Sequence, residues 1–134
     1  MKLITRDTDY ALRAVCFIAK NKDKIVSVST LVKELKIPKP FLRKLLQVLS
    51  KRRLLRSQRG LGGGFLLARP GDKIFLMDLM RIFQGGLRLN ECFFKKMPCP
   101  NLRTCALRKK IDKIEAYVIR ELKAITIQSL IRSR

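Results

Sequence analysis

The chain contains no histidine. Histidine is the side chain that titrates nearest neutral pH and the commonest nitrogen ligand of metals, so the usual general base and the usual metal-binding imidazole are missing together. A hydrolytic active site of ordinary type is hard to build without it. Acidic residues are scarce: 10 Asp and Glu stand against 31 Lys and Arg, a formal charge of +21 on 134 residues. The ion-paired surface of a heat-resistant protein would carry abundant Glu beside Lys, and that pattern is not seen. No apolar run approaches the roughly 20 residues needed to span a bilayer. Charges recur up to Arg13, which leaves no secretory leader pattern. Internal repeats and low-complexity stretches are also lacking. These absences imply a cytoplasmic chain with no membrane association and no small-molecule substrate.

With 47% apolar residues, the chain can build a core. Its length suits one domain, or one domain with an added dimerisation element. The excess positive charge attracts polyanions. Because the basic residues lie on patterned, foldable segments rather than in a tail, the implied polyanion is nucleic acid.

Residues 7–20 read as a helix with Tyr10, Ala14, Phe17 and Ile18 on one face, Ala11 and Val15 beside it, and Asp7, Thr8 and Asp9 as cap and dipole residues. Ser27 or Ser29 opens a short helix to about residue 35, which Ile37 and Pro38 interrupt. A further helix starts near Pro40 and runs to about Arg53, with Phe41, Leu42, Leu45, Leu46 and Leu49 inward. Its other face carries Lys39, Arg43, Lys44, Gln47, Lys51 and Arg52. Two short helices and a tight turn, the second helix basic, are the pattern of a helix-turn-helix. Residues 54–58 and 65–67 then form strands around the loop Arg59-Gly60-Leu61-Gly62-Gly63-Gly64, which is the winged-helix order. The glycines do not close on Lys-Ser/Thr before a helix, so this is no nucleotide-phosphate loop. On this reading Lys39, Arg43, Lys44 and Gln47 meet base edges, and Lys51 and Arg52 meet phosphate. Arg56, Arg59, Gly60, Gly62 and Gly63 form a wing suited to a narrow minor groove.

Residues 74–84 form another apolar helix, ended by Gly85-Gly86. Residues 106–125 carry Leu107, Ile111, Ile114, Val118, Leu122 and Ile125 at helical spacing, a rod of about 30 Å if helical throughout. Such a helix either folds back on the core or pairs with its twin; dimerisation is the preferred expectation, because readers with one recognition helix double up across a two-fold axis. Ser129, Leu130 and Ile131 suggest a final short helix. The expected organisation is a mainly α winged helix-turn-helix domain over 1–86, a cysteine-containing loop over 87–105, and a dimerisation helix with a C-terminal helix over 106–134.

Three of the four cysteines fall as Cys92-x6-Cys99-x5-Cys105 in that loop, and Cys16 reads as a small core residue. Structural zinc usually needs four ligands with a close Cys-x2–4-Cys pair, which is missing. Three thiolates and a ligand from elsewhere suit an iron–sulfur cluster. Spacing alone leaves cluster, zinc and bare redox thiols open.

These segments together resemble the IscR/NsrR-type winged-helix regulators over nearly the whole chain. The resemblance rests on Leu3 with Asp9-Tyr10-Ala11-Leu12-Arg13, on Arg59-Gly60-x-Gly62-Gly63-Gly64, and on the three-cysteine loop. Thr8 preceding Asp9, and Pro98-Cys99-Pro100 leading to Cys105-x-Leu107-Arg108, look most like the nitric-oxide-sensing branch. The resemblance implies a homodimeric repressor, less an activator, that binds a palindromic operator in double-stranded DNA. It also implies a 2Fe–2S or 4Fe–4S cluster that senses nitric oxide, redox or iron–sulfur status. Cys92, Cys99 and Cys105 would be its ligands, with Asp9 of the partner subunit as the oxygen ligand; Arg59 would enter the minor groove and the helix from Pro40 the major groove. Two departures set the chain apart from the iron–sulfur-biogenesis branch: it has no histidine after the third cysteine, and Arg43 stands where that branch carries a glutamate. The competing readings are a cluster-free member of the same family, a nucleoid-type packaging protein, and a thiol-redox enzyme using Cys99 or Cys105, the last lacking both Cys-x-x-Cys and histidine.

Overall fold

The computed structural model describes residues 2–87 and 105–132. In chain order the elements are α1 (Arg6–Lys20), α2 (Val28–Leu35), α3 (Lys39–Lys51), β1 (Leu55–Gln58), β2 (Gly64–Leu67), α4 (Leu76–Gln84), α5 (Ala106–Lys123) and α6 (Ile127–Arg132), with a single 3-10 turn at Gly71–Lys73. The expected mainly helical architecture with a β-hairpin wing is the one observed. Among the described residues no helix is long and apolar enough to cross a membrane.

α1 is the central helix, packed against α2, α3, α4, α6 and β2. Its fully buried face is built from Ala11, Ala14, Val15 and Ile18, while Tyr10 and Phe17 are only partly buried at its margin. Small side chains at the centre let four other helices approach closely, and the larger ones fill the periphery. The helix starts earlier than the sequence pattern suggested. Thr5 is the N-cap, its hydroxyl accepting from the Thr8 N–H, and Asp7 and Asp9 lie in the first turn. Thr8 is not a cap but a fully buried bridge to α4.

α2 is capped by Ser27, whose Oγ accepts the Thr30 N–H at 3.1 Å, and it ends at Lys36 in a left-handed conformation with its N–H on the Val32 carbonyl. The tight Lys36-Ile37-Pro38 turn leads into α3, which has prolines at its N-cap and second position. Leu42, Leu45, Leu46 and Leu49 seat α3 on the core. Phe41, expected inward, is 45% exposed, because it lies beside that leucine row rather than within it; the Arg6 guanidinium covers its ring at 5.0 Å.

β1 and β2 pair antiparallel with Leu55 opposite Leu67 and Gln58 opposite Gly64. Val26 adds a bridge on the far side of β2, exchanging hydrogen bonds with Phe65. The hairpin is thereby tied to the segment before α2, and Leu55, Phe65 and Leu67 pack on the core.

Asp78 caps α4 by accepting the Phe75 N–H at 2.9 Å, and Gly85 ends it in a left-handed conformation. A second apolar cluster joins Leu76, Met77 and Met80 of α4 to Leu122 of α5, with Val118, Ile119 and Ile125 alongside. Among the described residues, this cover reaches only the C-terminal end of α5. Leu107 and Ile114, members of the expected stripe, are 65% and 51% exposed, and neighbouring Tyr117 is 56% exposed. Beyond α5 the chain turns back: Leu76 N–H bonds to the Ile125 carbonyl, Ile127 N–H to the Ile74 carbonyl, and Ile127 is fully buried against the α1 core. α6 thus completes the core of the N-terminal half.

Candidate nucleic-acid interface

α3 separates its two chemistries by angle. At about 100° per residue, Arg43, Lys44, Gln47 and Lys51 fall within an arc of about 100° opposite the buried leucines. All four are exposed, as are Lys39 at the N-terminal end and Arg52 at the C-cap. The structure therefore gathers Arg43, Lys44, Gln47 and Lys51 on one solvent face of the helix, with Lys39 and Arg52 exposed at its two ends outside that arc. None of Lys39, Arg43, Lys44, Lys51 or Arg52 is in an ion pair with a described carboxylate, which leaves the arc strongly positive.

The wing tip follows from its glycines, but for two different reasons. Gly60 and Gly62 sit at φ 96° and 74°, where L-residues are strained, and Gly63 N–H closes the turn onto the Gly60 carbonyl at 3.0 Å. Gly63 and Gly64 are instead required by the protein's own backbone. A Cβ on Gly63 would collide with the Gln58 carbonyl, and one on Gly64 with the carbonyl of Val26. Arg56 is exposed on β1 and Arg59 on the loop, and Leu61 at the apex is entirely solvent-facing.

The cysteine site is divided by the described boundaries. Cys92 and Cys99 lie outside the described residues. Cys105 is half-buried at the N-cap of α5, at the positive end of that helix's dipole. Asp9 is on α1, its carboxylate accepting from Arg13 Nε at 3.0 Å in a pair whose side chains are 59% (Arg13) and 40% (Asp9) exposed. An exposed pair of this kind contributes only about 0–1 kcal/mol, so Asp9 can be drawn off it at small cost. Three thiols and one carboxylate are, as a donor set, suited to iron–sulfur chemistry. Cys16 is half-buried beside the α1 core; burial pushes its thiol up from the ordinary 9.0, with Lys20 opposing.

Sequence reasoning missed Gln84. Its Oε1 accepts from the Thr5 N–H at 3.1 Å and from Thr8 Oγ1 at 2.8 Å, and its Nε2 donates to the Leu3 carbonyl at 3.0 Å. One amide therefore locks the start of α1 to the end of α4, just before the chain enters the cysteine segment. A lone glutamine at a helix end carries no local signal of such a role.

A helix-turn-helix with a basic outer arc, followed at once by a glycine-tipped hairpin, defines the winged-helix class of DNA-binding proteins. Comparison with known proteins gives the family: residues 4–133 match the Rrf2 model, described as iron-dependent transcriptional regulator. The chain belongs to the Rrf2 family, whose members are transcriptional regulators and not enzymes. It is 34% identical over 124 residues to a helix-turn-helix-type regulator of Aquifex aeolicus, covering 91% of this chain and 86% of that one. It is 30% identical over 128 residues to the transcriptional regulator NsrR of Oceanobacillus iheyensis, covering 94% and 87%. Among solved structures it shares the fold of CymR, the global cysteine regulator of B. subtilis, with a TM-score of 0.80 at 23% identity over 98% of each chain. It also shares that of T. potens IscR, with a TM-score of 0.76 at 22% identity over 98% of this chain and 87% of the other.

Proposed function

We propose that the chain is a homodimeric repressor of a palindromic operator, and that its DNA binding responds to nitric oxide, redox or iron–sulfur status. The observation that carries the DNA half of this reading is the basic arc of α3 beside the Arg59 wing. A rod of α-helix fits the major groove, where Lys39, Arg43, Lys44 and Gln47 meet base edges. Lys51 and Arg52 meet phosphate, and Arg56 and Arg59 with Gly60, Gly62 and Gly63 form the wing that enters the minor groove. The exposed Leu107, Ile114 and Tyr117 on α5 support pairing with a second copy, since an apolar stripe of this kind is stabilised by removal from water. Such a pair spaces two α3 helices for two half-sites.

Cys92, Cys99 and Cys105 would hold an iron–sulfur cluster, with Asp9 of the partner subunit. When bound, that cluster supplies a thiolate-held centre that nitric oxide, oxygen or iron shortage destroys. Regulation of this kind needs different affinities for two arrangements of the dimer, and Gln84 is placed to relay them, because it ties α1 to the α4 end that leads into the cysteine segment.

The test is anaerobic purification with iron and sulfide analysis, followed by competition between a palindromic site and bulk DNA at fixed salt. The expected result is stoichiometric iron and sulfide, a visible chromophore lost in Cys99→Ala, and palindrome preference weakened in Arg59→Ala with an unchanged fold. Metal-free protein that still prefers the palindrome would establish the cluster-free form. Equal affinity for every duplex would make the chain a packaging protein and sink the operator reading.

A further inference from the structure

We propose that the cleft between the C-terminal end of α3 and the free edge of β1 is a phosphate-binding site, which shares Arg52 and Arg56 with the interface proposed above and extends it to Arg53 and Arg69. The cleft has a volume of about 770 Å³, and its lining includes the guanidinium residues Arg52, Arg53, Arg56 and Arg69 together with Ser50 and Ser57, with no carboxylate among them. It lies at the hairpin base, about 10 Å along the strands from the tip at roughly 3.3 Å per residue. None of the four arginines is in an ion pair with a described residue; Arg69 alone makes a long hydrogen bond, 3.5 Å to the Lys73 carbonyl. Four exposed arginines lining one cleft without a carboxylate give it a positive field, which attracts a polyvalent anion. Planar guanidinium forks match phosphate oxygens two at a time.

The backbone adds donors. Ala68 N–H bonds to the Leu54 carbonyl, and Phe65 N–H turns away from β1 to Val26. Antiparallel pairing alternates, so the N–H groups of Leu55 and Ser57 must face outward on the free edge of β1, beside the arginines. The end of α3 does not oppose an anion as a bare helix C-terminus would, because Leu54 and Arg53 N–H groups already occupy the carbonyls of Leu49 and Ser50. Ser50 Oγ, on the cleft wall, is buried without a hydrogen-bond partner among the described residues.

Arg53 is the most telling member. It stands at φ 63° in the position where helices commonly end on glycine, and a left-handed non-glycine residue costs about 1–2 kcal/mol. Glycine would remove that strain, but arginine puts a cation at the cleft. The shared ligand chemistry is phosphate, and the source is either a phosphodiester of the bound duplex or a free phosphate-bearing ligand. Only the first source rests on the operator reading.

Inorganic pyrophosphate is the probe. It is titrated into the DNA-free protein with calorimetry and amide chemical shifts, for wild type, for Arg69→Gln, and for Arg53→Asn with Arg69→Gln. Asparagine tolerates the left-handed backbone, and Arg69 is exposed and outside both strands, so the fold is retained and is checked by circular dichroism. The expected result is shifts concentrated at Leu55 and Ser57, with affinity reduced about tenfold or more in the double variant, a step of one decade in Kd. The slope of duplex affinity against salt then identifies the source. A decrease of about one to two in the double variant assigns the site to DNA phosphate, and an unchanged slope assigns it to a free ligand. Absent pyrophosphate binding, shifts spread over α3 and the wing tip, or a double variant that binds as wild type does would overturn the proposal. Failure of the operator reading shows separately, as loss of palindrome preference with pyrophosphate binding intact.

Discussion

α3 and α5 are written in nearly the same code, and the fold treats them differently. Both are basic helices with a single apolar stripe. In α3 the stripe is covered along its whole length: Leu42, Leu46 and Leu49 are fully buried and Leu45 is 6% exposed. In α5 only Leu122 reaches a comparable state, at 7%, while Leu107 and Ile114 stand out at 65% and 51%. Periodicity reports that a face is apolar; it does not report which surface covers it. For α3 the cover is α1, α2 and β1 of the same chain. For α5 it is, among the described residues, α4 at one end, and a second copy of the chain is the proposed cover for the remainder.

The largest effect expected on this contrast comes from truncating each stripe in turn. Leu46→Ala removes a fully buried side chain and should cost about 2–5 kcal/mol in a urea denaturation. Ile114→Ala should change the stability of the dilute monomer by only about 0.5 kcal/mol or less, as exposed positions do, yet shift the monomer–dimer equilibrium measured by sedimentation. Because a dimer's apparent stability depends on concentration, the two measurements have to be made across a dilution series. If Ile114→Ala cost the dilute chain as much as Leu46→Ala, α5 would be covered by its own chain and the contrast would vanish.

The same contrast explains what could be read from the sequence. The helix-turn-helix, the hairpin and the basic arc follow from local rules: leucine spacing, a proline at the helix start, glycines where the backbone turns left-handed. These specify α2, α3 and the wing to within a residue or two. Phe41 differs because helical spacing places it at the margin of the leucine row, where Arg6, far off in sequence, supplies its partial cover. The start of α1 was misread because three cap-forming residues, Asp7, Thr8 and Asp9, follow a fourth, Thr5; Thr8 was claimed by Gln84, a partner 76 positions away. The return of α6 to the core likewise depends on Ile127 meeting Ile74 across a turn that no local pattern announces. Long-range partners account for each of these differences.

Gln84 offers a second, smaller test, because it joins the well-covered half of the molecule to the segment that leads toward α5. Gln84→Ala removes acceptors from the Thr5 N–H and the fully buried Thr8 hydroxyl, which keeps its contact with Thr5 Oγ1 at 3.0 Å. Leaving buried donors short of a partner costs about 1–3 kcal/mol. The loss should appear as faster hydrogen exchange at the Thr5 amide and the first turn of α1, with the α3–hairpin amides unchanged. Equal acceleration in both regions would show that Gln84 supports the global fold rather than the α1–α4 junction.

The smallest effect concerns Cys16, on α1 in the well-covered half of the molecule. Cys16 packs beside the α1 core and burial raises its thiol above the ordinary 9.0, against the pull of Lys20. A group that holds its proton more tightly when folded stabilises the protein fully below the unfolded value and loses that contribution as pH rises toward the folded value. Wild-type stability should therefore decline from about pH 9 upward relative to Cys16→Ala, and the two should run parallel below about pH 8. The variant must be compared as a difference across pH, since the smaller side chain lowers stability by a constant amount throughout. A constant difference from about pH 8 to about pH 10 would mean that the thiol is as well solvated in the folded chain as in the unfolded one, and α1 would then be less tightly covered around Cys16 than its neighbours Val15 and Ala19 indicate.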